Sequence, residues 1–66
     1  MFARPSVPKP IRIEDDVWIG AGAVILPGVV VRRGSVIGAN AVVTRDTEEY
    51  SVNVGIPAKK IRSRDQ

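Results

Sequence analysis

At 66 residues the chain has room for one small domain, and without cysteine it can form neither a disulfide framework nor a thiolate metal site. It also lacks histidine, which removes the commonest general base and, with the cysteines, the usual metal ligands. The net charge of +3 is modest and local, since Lys59, Lys60, Arg62 and Arg64 oppose only Asp65, and no cations interleaved with aromatic residues suggest nucleic-acid binding.

Residues 1–10 carry basic side chains but no apolar core leading to a small-residue cleavage site, so they are expected to be an extended segment rather than a secretory signal. The absence of cysteine fits a reducing cytosol, and the expected location is cytoplasmic. From Trp18 to Val31 the chain reads WIGAGAVILPGVVV, almost wholly apolar. A helix there is disfavoured, because each glycine would cost about 1 kcal/mol and Pro27 about 3 kcal/mol. A membrane span needs about 20 uninterrupted apolar residues, and Pro27-Gly28 and Arg32-Arg33 arrive too soon.

The alternative is a repeat. Aliphatic residues stand at Val7, Ile13, Ile19, Ile25, Val31, Ile37 and Val43, always six apart. Two positions before the last six of these lie Ile11, Val17, Ala23, Val29, Ser35 and Ala41, and residues two apart share a face only in a strand. Each hexad over residues 11–48 is thus predicted to be a short strand with two inward side chains. Three after each anchor, from Ile13 to Val43, come Asp16, Gly22, Gly28, Gly34, Asn40 and Asp46, all residue types that tolerate positive φ. A corner is expected at each, with Pro27-Gly28 the pair suited to a type II turn. Regular corners between strands predict an all-β solenoid with parallel stacking.

Beyond Asp46 the repeat fades. Thr47 to Tyr50 reads as a connector, Tyr50 to Val54 as a further strand and Gly55-Ile56-Pro57 as a corner. Residues 58–64 are expected to form a helical or extended cap that buries Ile61 and leaves its cations outside, so that 49–66 make a C-terminal strand and basic capping tail. The carboxylates of Glu14-Asp15-Asp16 diverge at a corner and are read as turn residues. Ser35 is read as a small core residue with no base to activate it.

The segments VWIG (17–20), Pro27-Gly28, SVIGANAVVTRD (35–46) and GIPAKKIR (55–62) together resemble the C-terminal part of hexapeptide-repeat acetyltransferases. The resemblance runs from about Pro10 to Arg62 and is greatest to the maltose and galactoside O-acetyltransferase branch, with serine and xenobiotic acetyltransferases related. It implies a left-handed parallel β-helix, against the usual right-handed crossover rule, with three hexads per coil. Ile13 would then stack on Val31, Ile19 on Ile37, and Ile25 between Val7 and Val43, giving about two coils from Ile13 to Glu48 and a C-terminal cap. It also implies homotrimers or higher self-assembly, with acetyl-CoA as co-substrate in a cleft between neighbouring helices.

The resemblance implies cofactor-binding roles for Trp18, Ala21, Ala39, Thr44, Arg45, Lys59 and Arg62. Trp18 would wall the cleft near the thioester. Ala21 and Ala39, small residues at equivalent corners, would let the pantetheine arm approach the backbone. Thr44 can hydrogen-bond and Arg45 can meet a phosphate or adenine edge, while Lys59 and Arg62 would face the phosphates. Lys59 stands where relatives more often carry arginine, keeping the charge but losing the bidentate fork. Glu14 replaces the family's usual corner glycine.

In the family a histidine upstream of the matching region is the general base, and this chain has none, so no catalytic residue and no metal ligand is expected within it. Read residue by residue, the same positions also fit an interface aromatic, tight corners and a solvated basic surface. Two functions follow: the CoA-binding portion of an acetyltransferase acting on a sugar or similar small hydroxylated acceptor, or a non-catalytic solenoid module that self-associates. Two coils bury little apolar area, and either way the chain is expected to lean on further coils or other subunits.

Overall fold

The computed structural model describes residues 9–64. Its elements are eight strands: β1 (Arg12–Ile13), β2 (Trp18–Ile19), β3 (Val24–Ile25), β4 (Val30–Val31), β5 (Val36–Ile37), β6 (Val42–Val43), β7 (Ser51–Val54) and β8 (Lys59–Ser63). Among the described residues there is no helix, hence none long and apolar enough to cross a membrane.

The first six strands are two residues long because a turn interrupts each hexad. Hydrogen bonds from Ala23 N to Gly20 O, Val29 N to Leu26 O, Ser35 N to Arg32 O and Ala41 N to Gly38 O close four-residue turns. Gly22, Gly28, Gly34 and Asn40 occupy their third positions with φ of 76°, 84°, 75° and 61°. Gly28 after Pro27 is the positive-φ position of a type II turn, as the dipeptide predicts. Asp16 also has positive φ, at 59°.

Three parallel pairings follow from this spacing. Ile13 aligns with Val31, Ile19 with Ile37 and Ile25 with Val43, each eighteen residues on, so three hexads complete one turn. The expected neighbour Val7 lies outside the described residues. Val29, Val31, Ile37, Ala41 and Val43 form the buried core, with Val17, Ala23, Ile25 and Ala58 packed against it. The layer below is open, since Ile13 and Ile19 are 51% and 42% exposed.

Above the second turn the pattern changes. Asp46 does not adopt the positive φ expected of it, and the next non-glycine residue to do so is Tyr50, at 54°. The physical reason is that Asp46 and Thr47 act through their side chains. Asp46 Oδ1 accepts from Val30 N at 2.8 Å and Thr47 Oγ1 from Arg32 N at 2.9 Å, while Thr47 N donates to Val30 O at 3.1 Å. These bonds satisfy the upper edge of β4 without a strand above it. The connector is thereby shortened, and β7 stacks on β5 with an offset of sixteen residues, Val36 opposite Val52.

Polar residues replace aliphatic ones in this top layer. Ser35 Oγ lies 2.7 Å from Thr47 Oγ1 and donates to Glu48 O, Ser51 Oγ donates to Glu48 O at 2.6 Å, and Asn53 Nδ2 donates to Ser51 Oγ at 2.9 Å. Ser35 is inward, as expected, but as a member of a network in which no buried side-chain polar atom among the described residues lacks a partner. Thr47→Val should cost about 1–3 kcal/mol by urea denaturation, because the Arg32 amide loses its acceptor and the Ser35 hydroxyl keeps only its bond to Glu48 O.

The C-terminal segment departs from its expected role as a cap that buries Ile61. It forms β8, antiparallel to β7 at the edge of the four-stranded sheet β2-β5-β7-β8, and Ile61 is 59% exposed. An irregularity between Val52 and Asn53 leaves Ile61 unpaired between Arg62 and Lys60, and the segment covers the outer edge of β7 instead of entering the core. Arg64 closes the strand by donating to Asp16 O and Gly34 O at 3.1 and 2.9 Å and pairing with the Asp16 carboxylate at 3.3 Å.

Candidate ligand-binding cleft

The shortened connector and β8 enclose a cleft of about 490 Å³. It is lined by Thr44, Arg45 and Glu48 of the connector and by Lys59 and Lys60 of β8, together with Val43, Asn53 and Ala58. The hydrogen bond from Ala58 N to Val42 O, 2.8 Å, ties the start of β8 to β6 and holds the two segments together. Lys59 is opposite Val54, and Lys60 opposite Asn53.

The electrostatics of the cleft follow from its ion pairs. Asp46 is engaged by the Val30 amide and lies 3.9 Å from Arg32, and Lys60 Nζ contacts Glu48 Oε1 at 2.9 Å. Arg45 and Lys59 have no ion pair among the described residues. Two cations without an ion pair in one cleft favour an anionic ligand over a neutral one.

Thr44, Arg45 and Lys59 are therefore the sequence-predicted residues that the fold assembles in one cleft. Ala21 and Ala39 lie outside it, on stacked turns joined by the bond from Asn40 N to Ala21 O at 2.9 Å. A Cβ on Gly20 would fall 2.6 Å from Ala39 N, which measures how closely these backbones approach. Gly38 N donates to Asn53 O at 2.8 Å, so the column continues upward into β7, whose Val54 pairs with Lys59. The small-residue column thus leads to the cationic wall.

Trp18 points outward, as expected, and is 65% exposed. By register it starts a row through Val36 and Val52 to Arg62. Arg62 is exposed on that sheet face, with Nη1 donating to Ser63 O at 3.4 Å, and does not line the cleft. Lys60 and Glu48 do line it, though neither stood out in the sequence. Their meeting depends on the pairing irregularity in β8 and on the connector's path, which no local pattern encodes.

A second depression of about 450 Å³, lined by Arg12, Ile13, Glu14, Asp15, Arg33 and Glu49, mixes both charges. Glu14 there accepts from Arg33 N at 3.0 Å, and Asp16 at the adjoining corner pairs with Arg64, so the acidic triplet serves the turn as expected. No group of three His, Cys, Asp or Glu among the described residues could hold a metal ion.

Residues 10–45 match the family of bacterial transferase hexapeptide repeats (six repeats). A chloramphenicol acetyltransferase from Agrobacterium fabrum is 54% identical over 52 residues, covering 79% of this chain and 25% of that protein. Among solved structures, a maltose O-acetyltransferase from Clostridium difficile superposes with a TM-score of 0.84 at 41% identity, over 88% of this chain and 31% of that one. A hexapeptide-repeat acetyltransferase from Vibrio cholerae, complexed with acetyl-CoA, gives a TM-score of 0.84 at 46% identity, over 88% and 32%. The chain spans about a quarter of the length of the curated relatives it matches. With the six-residue beat, the stacked turns and these similarities in agreement, the chain belongs to the hexapeptide-repeat transferase family.

Proposed function

We propose that this chain is the CoA-binding portion of an acetyl-CoA-dependent acetyltransferase, wound as a left-handed parallel β-helix. The observation that carries the reading is the pair of cations without ion pairs, Arg45 and Lys59, in one cleft, with Lys59 paired to Val54 above a column of tightly stacked small-residue turns. An anionic nucleotide end at the cations and a slender arm along Ala21 and Ala39 suit that arrangement. The acetyl-CoA complex of the 46% identical Vibrio cholerae relative supports the assignment.

In this reading Arg45 and Lys59 bind phosphate oxygens through charge-assisted contacts, with Thr44 adding a hydroxyl. The backbones at Ala21 and Ala39 orient the arm, and Trp18 shields the end nearest the reacting carbonyl. Acetyl-CoA supplies the acyl group activated as a thioester. The general base comes from outside these 66 residues, which contain no histidine. We further propose assembly as a homotrimer, with the row from Trp18 to Arg62 facing a neighbouring subunit. The acceptor is a small hydroxylated molecule such as a sugar; the relatives include both a maltose and a chloramphenicol acetyltransferase.

Calorimetric titration of acetyl-CoA into the 66-residue chain, at a concentration where its oligomeric state is defined, tests this. Saturable binding is expected, weakened about fivefold by Lys59→Ala and less by Arg62→Ala, with circular dichroism unchanged. A folded chain that binds no acetyl-CoA would favour the self-associating module instead.

A further inference from the structure

We infer that Glu48 sets the anion affinity of the cleft by neutralising Lys60, a third cation beside Arg45 and Lys59. The inference rests on the proposed acetyl-CoA reading and names the counter-charge that regulates that site.

Both members of the pair stand on anchored backbone. The Glu48 carbonyl accepts from the buried hydroxyls of Ser35 at 3.1 Å and Ser51 at 2.6 Å. Lys60 is fixed by its pairing with Asn53, which is also buried. From these positions Nζ and Oε1 meet at 2.9 Å in the wall of the cleft. The side chains are 37% and 71% exposed, so the pair contributes little to folding and is free to exchange partners.

The five ionisable groups lining the cleft are Arg45, Lys59, Lys60, Asp46 and Glu48. Asp46 is held by Val30 N and Arg32, the latter outside the cleft. Glu48 is thus the carboxylate that competes with a bound phosphate for a cleft cation. Removing its charge releases Lys60 to the ligand, whereas removing Lys60 leaves Glu48 to repel it.

The test is titration of acetyl-CoA into the wild-type chain and into Glu48→Gln, Lys60→Gln and the double variant, with S-acetylpantetheine as a probe lacking the nucleotide phosphates. Glu48→Gln should tighten acetyl-CoA binding about threefold at low ionic strength and Lys60→Gln should weaken it about threefold, both effects shrinking at high salt. The double variant should return close to wild type, and no substitution should alter the response to S-acetylpantetheine. If the wild type binds acetyl-CoA and Glu48→Gln does not change its affinity, the role of Glu48 is overturned while the proposed function stands. Equal effects on both probes would also overturn it, because they would reveal a structural change rather than a charge effect. No binding by the wild type overturns both.

Discussion

Ile37→Ala is expected to destabilise the folded chain by about 3 kcal/mol, whereas Ile19→Ala, at the equivalent position one turn earlier, should cost about 1 kcal/mol. The two residues are register partners in one sheet and carry identical side chains. Ile37 is 1% exposed, with a layer of side chains above and below, while Ile19 is 42% exposed. Truncating Ile37 removes buried methyl groups and leaves a cavity bounded on both sides. Truncating Ile19 leaves a notch that water already reaches. Urea denaturation of both variants, followed by circular dichroism at fixed protein concentration, measures the difference. Equal losses would mean that the Ile19 layer is covered in solution, and their dependence on protein concentration would identify a second copy as the cover.

A contrast of similar size is expected among the glycines. Gly34→Ala should destabilise the chain by about 3 kcal/mol, combining the cost of a side chain at φ 75° with displacement of the Tyr50 ring, which occupies the space of the new Cβ. Gly28→Ala has a similar φ of 84° but meets only the flexible side chain of Lys9, at 3.3 Å, and should cost about 1 kcal/mol. Gly20→Ala has no positive φ to explain a penalty, yet its Cβ would fall 2.6 Å from Ala39 N and 2.8 Å from Ala39 Cα. Backbone cannot swing aside as a lysine chain can, so about 2–3 kcal/mol is expected there. Thermal melts of the three variants should rank them Gly34, Gly20, Gly28 in order of decreasing effect. A Gly20 variant as stable as wild type would show that successive turns stack less closely than described.

Much of the architecture was legible because the repeat is a local code. An aliphatic residue every sixth position and a residue tolerant of positive φ three later specify strand and corner together, and Gly22, Gly28, Gly34 and Asn40 turn where that code places them. The outward aim of Trp18 followed from the same alternation. Three hexads per turn did not follow from the period; it came with the family resemblance and agrees with the pairing of Ile13 with Val31.

The code failed where side chains took over the work of backbone. Asp46 has the composition of a corner residue but spends its carboxylate on the Val30 amide, and the positive φ passes to Tyr50. Ile61 resembles a core anchor in a basic tail, yet β8 pairs antiparallel at the sheet edge and leaves it in solvent. In both cases the outcome depends on an unsatisfied edge elsewhere in the fold, which residues nearby in sequence do not reveal.

The candidate site divides in the same way. Cationic character near the C-terminus and small residues at the corners are properties of the sequence, determined by residue type and six-residue spacing. Which cations share a cleft was decided only in three dimensions. The shortened connector brings Arg45 and Glu48 into one cleft with Lys59 and Lys60 of β8, and the irregularity in β8 places Lys60 opposite buried Asn53 while Arg62 stays on the row that begins at Trp18. A hexad specifies its own strand and corner through local sterics, whereas the partners of a charge depend on how turns of different length stack.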